Sequence, residues 1–127
     1  MDFSNYLSNA IVNATVRNTP YTSPSTAWLG LFLSDPTKDN TGLEVSGASY
    51  GRQAVTFTPP VVGVAKNSSD IEFNSATTNW GTVTHVGVFD SETGGNLLYF
   101  TALAEPKTIE AGDIFRIAID NLTLTLD

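Results

Sequence analysis

Cysteine is absent from the chain, and that omission removes disulfides, thiolate metal sites and a cysteine nucleophile together. It fits assembly in a reducing cytoplasm. Charge is scarce as well: charged residues make up 15% of the 127 positions, against ~25% in ordinary soluble domains. Six basic residues face thirteen acidic ones, for a net charge of −7. A protein that coats DNA or RNA needs a basic footprint, so nucleic acid is not an expected partner. The single histidine, His85, has no cysteine to share a structural zinc with. No apolar run approaches the ~18 residues of a membrane span, and Met1-Asp2-Phe3-Ser4-Asn5-Tyr6 lacks the basic n-region of a signal peptide. The expectation is a small, soluble, acidic protein with no cofactor, no metal and no membrane partner, and not secreted by its own signal.

Thr, Ser, Asn and Gly fill the place of the missing charge, as in β-rich proteins with polar surfaces. The length predicts a single domain, residues 1–127, since domains centre on roughly 100–150 residues. Phe3, Tyr6, Leu7, Ala10, Ile11 and Ala14 recur at helical spacing, with Ser4, Asn5, Ser8, Asn9 and Asn13 opposite. This predicts an N-terminal helix over residues 1–17, capped by Asp2 or Ser4 and stable only when docked. Thr19-Pro20 and Ser23-Pro24 mark a loop after it.

From residue 26 onward the pattern is strands. Ala27 to Leu33 is apolar on both faces, Arg52 to Thr58 alternates, and Pro59-Pro60 stops it. Short strands are expected over Val61–Ala65 and Asp70–Asn74. Thr82–Phe89 and Leu97–Leu103 form a hairpin across Asp90–Asn96, with Gly94-Gly95 in its loop. Glu110–Asp113 reads as a tight turn between Thr108-Ile109 and Ile114–Ile119. Leu122, Leu124 and Leu126 alternate with threonines. Seven or eight strands behind one helix predict an all-β fold, a β-sandwich over 26–127, with the jelly roll as one form.

Catalytic constellations are not legible. His85 in mid-strand is a general base only with an orienting partner, and a packed strand histidine is the simpler reading. Asp35–Asn40 and Asp90–Thr93 lack the spacing of a calcium loop and read as turn carboxylates. Gly94-Gly95-Asn96 lacks the Lys-Ser/Thr pair and helix of a phosphate loop. Asn13, Asn67 and Asn121 start glycosylation sequons, read as chance matches. The expectation is that the chain is not an enzyme.

What remains is surface. An apolar stripe on a poor free helix and an alternating C-terminal edge strand are association features. Phe3, Tyr6, Leu7 and Ile11, with Leu122, Leu124 and Leu126, are therefore the candidate interface residues, either docking on their own sheet or reaching a neighbour.

Two segments, Glu44 to Phe57 and Asn79 to Asp90 followed by Gly94-Gly95-Asn96-Leu97-Leu98, stand between Trp28–Pro36 and Pro106–Asp113. In this order they resemble a family of small virion proteins of tailed bacteriophages, commonly labelled phage tail fibre protein. The resemblance covers essentially the whole chain and carries no catalytic residues. It implies a structural protein of the virion, assembled in the host cytoplasm. The chain has neither heptads nor repeats for a fibre shaft. The leading expectation is therefore a capsid decoration (cement) protein, a homo-oligomer, trimeric in that role, bound to the phage major capsid protein. The alternative is a tail-fibre or tail-tip component bound to tail proteins and involved in host attachment. A third is a carbohydrate-binding module presenting Trp28, Trp80, Tyr21 and Tyr50.

Overall fold

Ser4 decides where the helix begins. Its backbone is extended (φ −68°, ψ 160°) and its Oγ accepts the Leu7 N–H at 3.1 Å, the geometry of an N-cap. Residues before such a cap lie outside the helix, and here the sheet takes them. Asp2–Phe3 forms a short strand, β1, and the helix α1 runs over Asn5–Val16. The expected helix of residues 1–17 is thus shorter at its start, and Phe3 leaves the helical stripe to become a strand residue. The computed structural model describes residues 1–126.

Eight further strands follow: β2 (Ala27–Phe32), β3 (Gln53–Val55), β4 (Val64–Lys66), β5 (Ile71–Glu72), β6 (Gly81–Phe89), β7 (Leu97–Ile109), β8 (Arg116–Ile117) and β9 (Thr123–Thr125). A five-stranded antiparallel sheet has the order β1-β7-β6-β2-β3. Two ribbons, β4-β9 and β5-β8, accompany it. The fold is all-β with one N-terminal helix.

The sheet is apolar on both faces, as the sequence of β2 requires. Period-2 alternation sends Leu29 and Leu31 to one face and Trp28 and Phe32 to the other. The first face, with Val55, Val86 and Val88, packs in one core with Ile71, Phe73, Phe115 and Leu122 from the ribbon layer. The second holds a smaller cluster of Phe32, Phe89, Leu97 and Phe100, with Trp28 against it. Gly87 sits at the tightest point of this smaller cluster. A Cβ there would come within 2.7 Å of Leu97 Cδ1 and 2.9 Å of Phe32 Cε1, so neighbouring side chains rather than another backbone require the glycine.

The strands on either side of Glu110–Asp113 do not pair with each other. Instead β7 continues to Ile109, and the register moves from His85↔Ala102 to Val83↔Lys107. Leu103–Pro106 is thereby excluded from the ladder, which accommodates a proline that has no N–H to donate. The turn Glu110–Asp113 exists, with Asp113 N–H donating to Glu110 O at 2.9 Å, but the chain beyond it crosses to the other layer and pairs with β5. Asn67, which begins one sequon, is fully buried. Its amide donates to Ser69 O and Ala118 O at 2.9 and 3.0 Å and its Oδ1 accepts the Leu122 N–H at 2.8 Å, so it is an internal brace.

Candidate functional site

The segment Glu44–Arg52 forms a polar clamp on the edge of β2. Arg52 donates from Nε and Nη2 to the two oxygens of Glu44 at 2.9 and 2.8 Å, a bidentate fork. Its Nη1 reaches Ser91 O and Gly94 O at 2.9 and 2.8 Å, and its guanidinium lies 3.5 Å above the Phe89 ring. Tyr50 Oη donates to Glu44 Oε2 at 2.6 Å and accepts the Leu31 N–H at 2.9 Å. Burial, with the Glu44 carboxylate second, pushes the Tyr50 hydroxyl far above its usual range, so it stays a donor. All three guanidinium nitrogens of Arg52 donate within the chain, and the clamp is a structural lock on the 90–96 hairpin loop.

The other candidate groups are likewise engaged within the chain. Thr84 Oγ1 hydrogen-bonds His85 Nδ1 at 2.8 Å, and the His85 Nε2 stands 4.0 Å from the exposed Asp35 carboxylate. Asp35 accepts the Thr37 N–H, Asp39 accepts from Asn5, and Asp90 accepts from both the backbone and side chain of Asn96. Among the described residues, no three His, Asp or Glu side chains converge as metal ligands would. Trp80 is buried, with its indole N–H donated to Ala48 O at 3.1 Å, and its ring occupies the space a Cβ on Gly47 would need. Trp80 is thus a core residue with Tyr50 packed, partly buried, against it, and a sugar-stacking platform of Trp28, Trp80, Tyr21 and Tyr50 is not what the fold presents.

One apolar surface is left open. A groove of about 600 Å³ lies between α1, the end of β2, the strands β6 and β7, and the β4-β9 ribbon. Leu7, Tyr21, Phe57, Ala65, Tyr99 and Leu124 are among the residues that line it, and none of its lining residues is charged. Burial raises the hydroxyl pKa values of Tyr21 and Tyr99, so both remain neutral at physiological pH.

Of the seven residues the sequence singled out, three meet here: Leu7, Leu124 and Leu126 all line the groove. Phe3 stands beside it, its ring edge-on to Tyr99 at 5.2 Å. Ile11 is half-buried on α1. Tyr6 is separate: it is 44% exposed and faces a small polar hollow with Lys38, Asp39 and Asn96. Leu122 is buried in the main core, so it is unavailable as a contact residue, because it precedes β9 and turns inward beside Asn67. The helix docks on β7 of its own chain through Leu7. Sequence reasoning named Tyr21 only as a sugar-stacking aromatic, and missed Pro24, Phe57 and Pro60. Their signal was present as an uncharged, proline-marked loop, which reads as punctuation until the fold brings the pieces together.

A family model described as podophage GP4 fiber I protein gp80 matches residues 2–125. That span takes in the clamp and every residue lining the groove except Leu126. None of the curated proteins compared with the chain matches it. The chain belongs to this family of podophage fibre proteins, and its place is the virion. The resemblance drawn from Glu44–Phe57 and Asn79–Leu98 is met, and the match favours the fibre alternative over capsid decoration. No helix among the described residues is long and apolar enough to cross a membrane.

Proposed function

We propose that this podophage fibre protein is a non-catalytic structural component of the tail-fibre apparatus, acting through contacts with other virion proteins. The observation that carries this reading is the family match, which runs over residues 2–125. The side-chain chemistry supports it: the strongest polar constellation, Glu44–Tyr50–Arg52, is fully used in holding a loop, and the open surface is apolar. An uncharged apolar surface on an acidic chain is suited to protein contact.

Two measurements on purified virions test the proposal. The copy number relative to the major capsid protein, by quantitative mass spectrometry, is expected to be a small fraction, and the chain is expected in isolated tails rather than tail-less heads. A copy number comparable with the capsid protein, together with recovery in heads, would return the chain to a decoration role. Absence from the particle overturns both.

A further inference from the structure

The connection between Thr58 and β4 ends in a two-residue hairpin turn. Val61 and Val64 exchange both backbone hydrogen bonds at 3.0 Å, and the two residues between them, Val62 and Gly63, have φ values of +51° and +75°. Such turns favour Asn, Asp or Gly at the first central position, because the left-handed conformation costs a β-branched residue most. Gly63 has a local reason to be there, since a Cβ would run into the Leu126 carbonyl. Val62 has none: it is 95% exposed, Val61 is 71% exposed, and the described residues leave both side chains largely open. The turn therefore holds two valines outward, against backbone preference, as an apolar knob.

The knob adjoins the groove. Pro60 and Gly63 line the groove from below the turn, so the Pro59–Gly63 tip and the groove form one continuous surface without a charged residue. On a chain of net charge −7, two copies repel each other except where they meet through an uncharged region. We propose that the groove between α1 and the β4-β9 ribbon receives the Val61–Val62 tip of a second copy of this chain. A contact of this kind is reciprocal if it closes as a dimer and head-to-tail if it closes as a small ring. In either case it buries the exposed valines against Leu7, Phe57 and Leu124. It gives the unfavourable residue at position 62 a purpose that the isolated protomer does not.

Sedimentation of the full chain over a wide concentration range tests this. The wild type is expected to form a closed oligomer, and Val62→Asp to remain monomeric. Val62→Asn is the decisive variant, because it suits the turn better. It is expected to lose association while its Tm, compared at a dilution where both proteins are monomers, rises by a few degrees. Val16→Asp, which charges an exposed position on α1 away from the groove, is expected to associate like the wild type. A wild type that stays monomeric overturns the proposal and leaves the groove to a different virion protein. Association that survives Val62→Asp and Val62→Asn, or that Val16→Asp abolishes, overturns it as well.

Discussion

Around Arg52 every polar group is answered: its three donating nitrogens find Glu44, Ser91 and Gly94, and its flat face lies on Phe89. Around Leu7 and Leu124 the reverse holds, with apolar side chains lining an open groove that the chain does not fill. The two regions differ in what they need from outside. A mostly buried ion pair whose charges already face each other gains little from a partner. An apolar groove gains from any apolar surface that excludes its water. The clamp is finished within one chain, and the groove is an apolar surface that the chain leaves open.

Breaking the clamp gives the largest expected effect. Arg52→Ala leaves the Glu44 carboxylate without its partner and two loop carbonyls without donors, for a loss of about 3–5 kcal/mol by urea unfolding. Arg52→Lys is expected to recover part of this only, because an ammonium neither forks onto both Glu44 oxygens nor stacks on Phe89. A loss below that of a surface ion pair would show that the clamp is not the lock the geometry describes.

On the groove side, Leu7→Ala is expected to cost about 2–3 kcal/mol, the lower part of the range for buried leucines, since the space it leaves opens into the groove. Hydrogen exchange should rise along α1 before the core strands, because Leu7 is the buried anchor of that helix. Ser4→Ala removes the N-cap bond to Leu7 and is expected to cost about 1 kcal/mol. Equal exchange in α1 and β6 for either variant would mean that the helix and sheet open together.

The smallest effect compares a second ion pair with the clamp. Asp70 accepts the Ile119 N–H at 2.8 Å and pairs with Arg116 at the surface. The Ile119 hydrogen bond first, and then the Arg116 guanidinium, hold its carboxyl below the ordinary 3.8. A carboxylate with a depressed native pKa contributes stability that is present above the ordinary value and is lost as pH falls through the native one. The wild-type Tm is therefore expected to drop slightly more than that of Asp70→Asn on acidification below about pH 4. Because this pair is exposed and the clamp is buried, salt should weaken the Asp70 contribution and leave that of Arg52 nearly unchanged.

Much of the fold was legible because its strongest strands carry their instructions locally. Ala27–Phe32, Gly81–Phe89 and the hairpin over Asp90–Asn96 follow from apolar runs and a Gly-Gly loop. The helix was legible too, but its first residues were not. Phe3 fits a helical stripe and a strand equally well, and only the free edge of β7 settled which bonds its backbone would make. The turn at Glu110–Asp113 was visible in the chain, whereas the partner of β8 was not, since pairing with β5 depends on a strand some forty positions away. The candidate site was half legible. Leu7, Leu124 and Leu126 were found as apolar faces, but Leu122 sits one register step away, where the chain turns inward beside Asn67.

Local pattern by itself determined the all-β class, the N-terminal helix, the lack of thiol and basic chemistry, and the kinship with small phage fibre proteins. Those properties rest on composition, periodicity and residue order, which are written in the chain. Tertiary structure alone decided that Arg52 and Glu44 would share one clamp with Ser91 and Gly94, and that Tyr21, Phe57 and Tyr99 would line one groove with Leu124. Those residues lie tens of positions apart. Their meeting is fixed by sheet order and register, in which each strand's place depends on the free energy of the whole packed core.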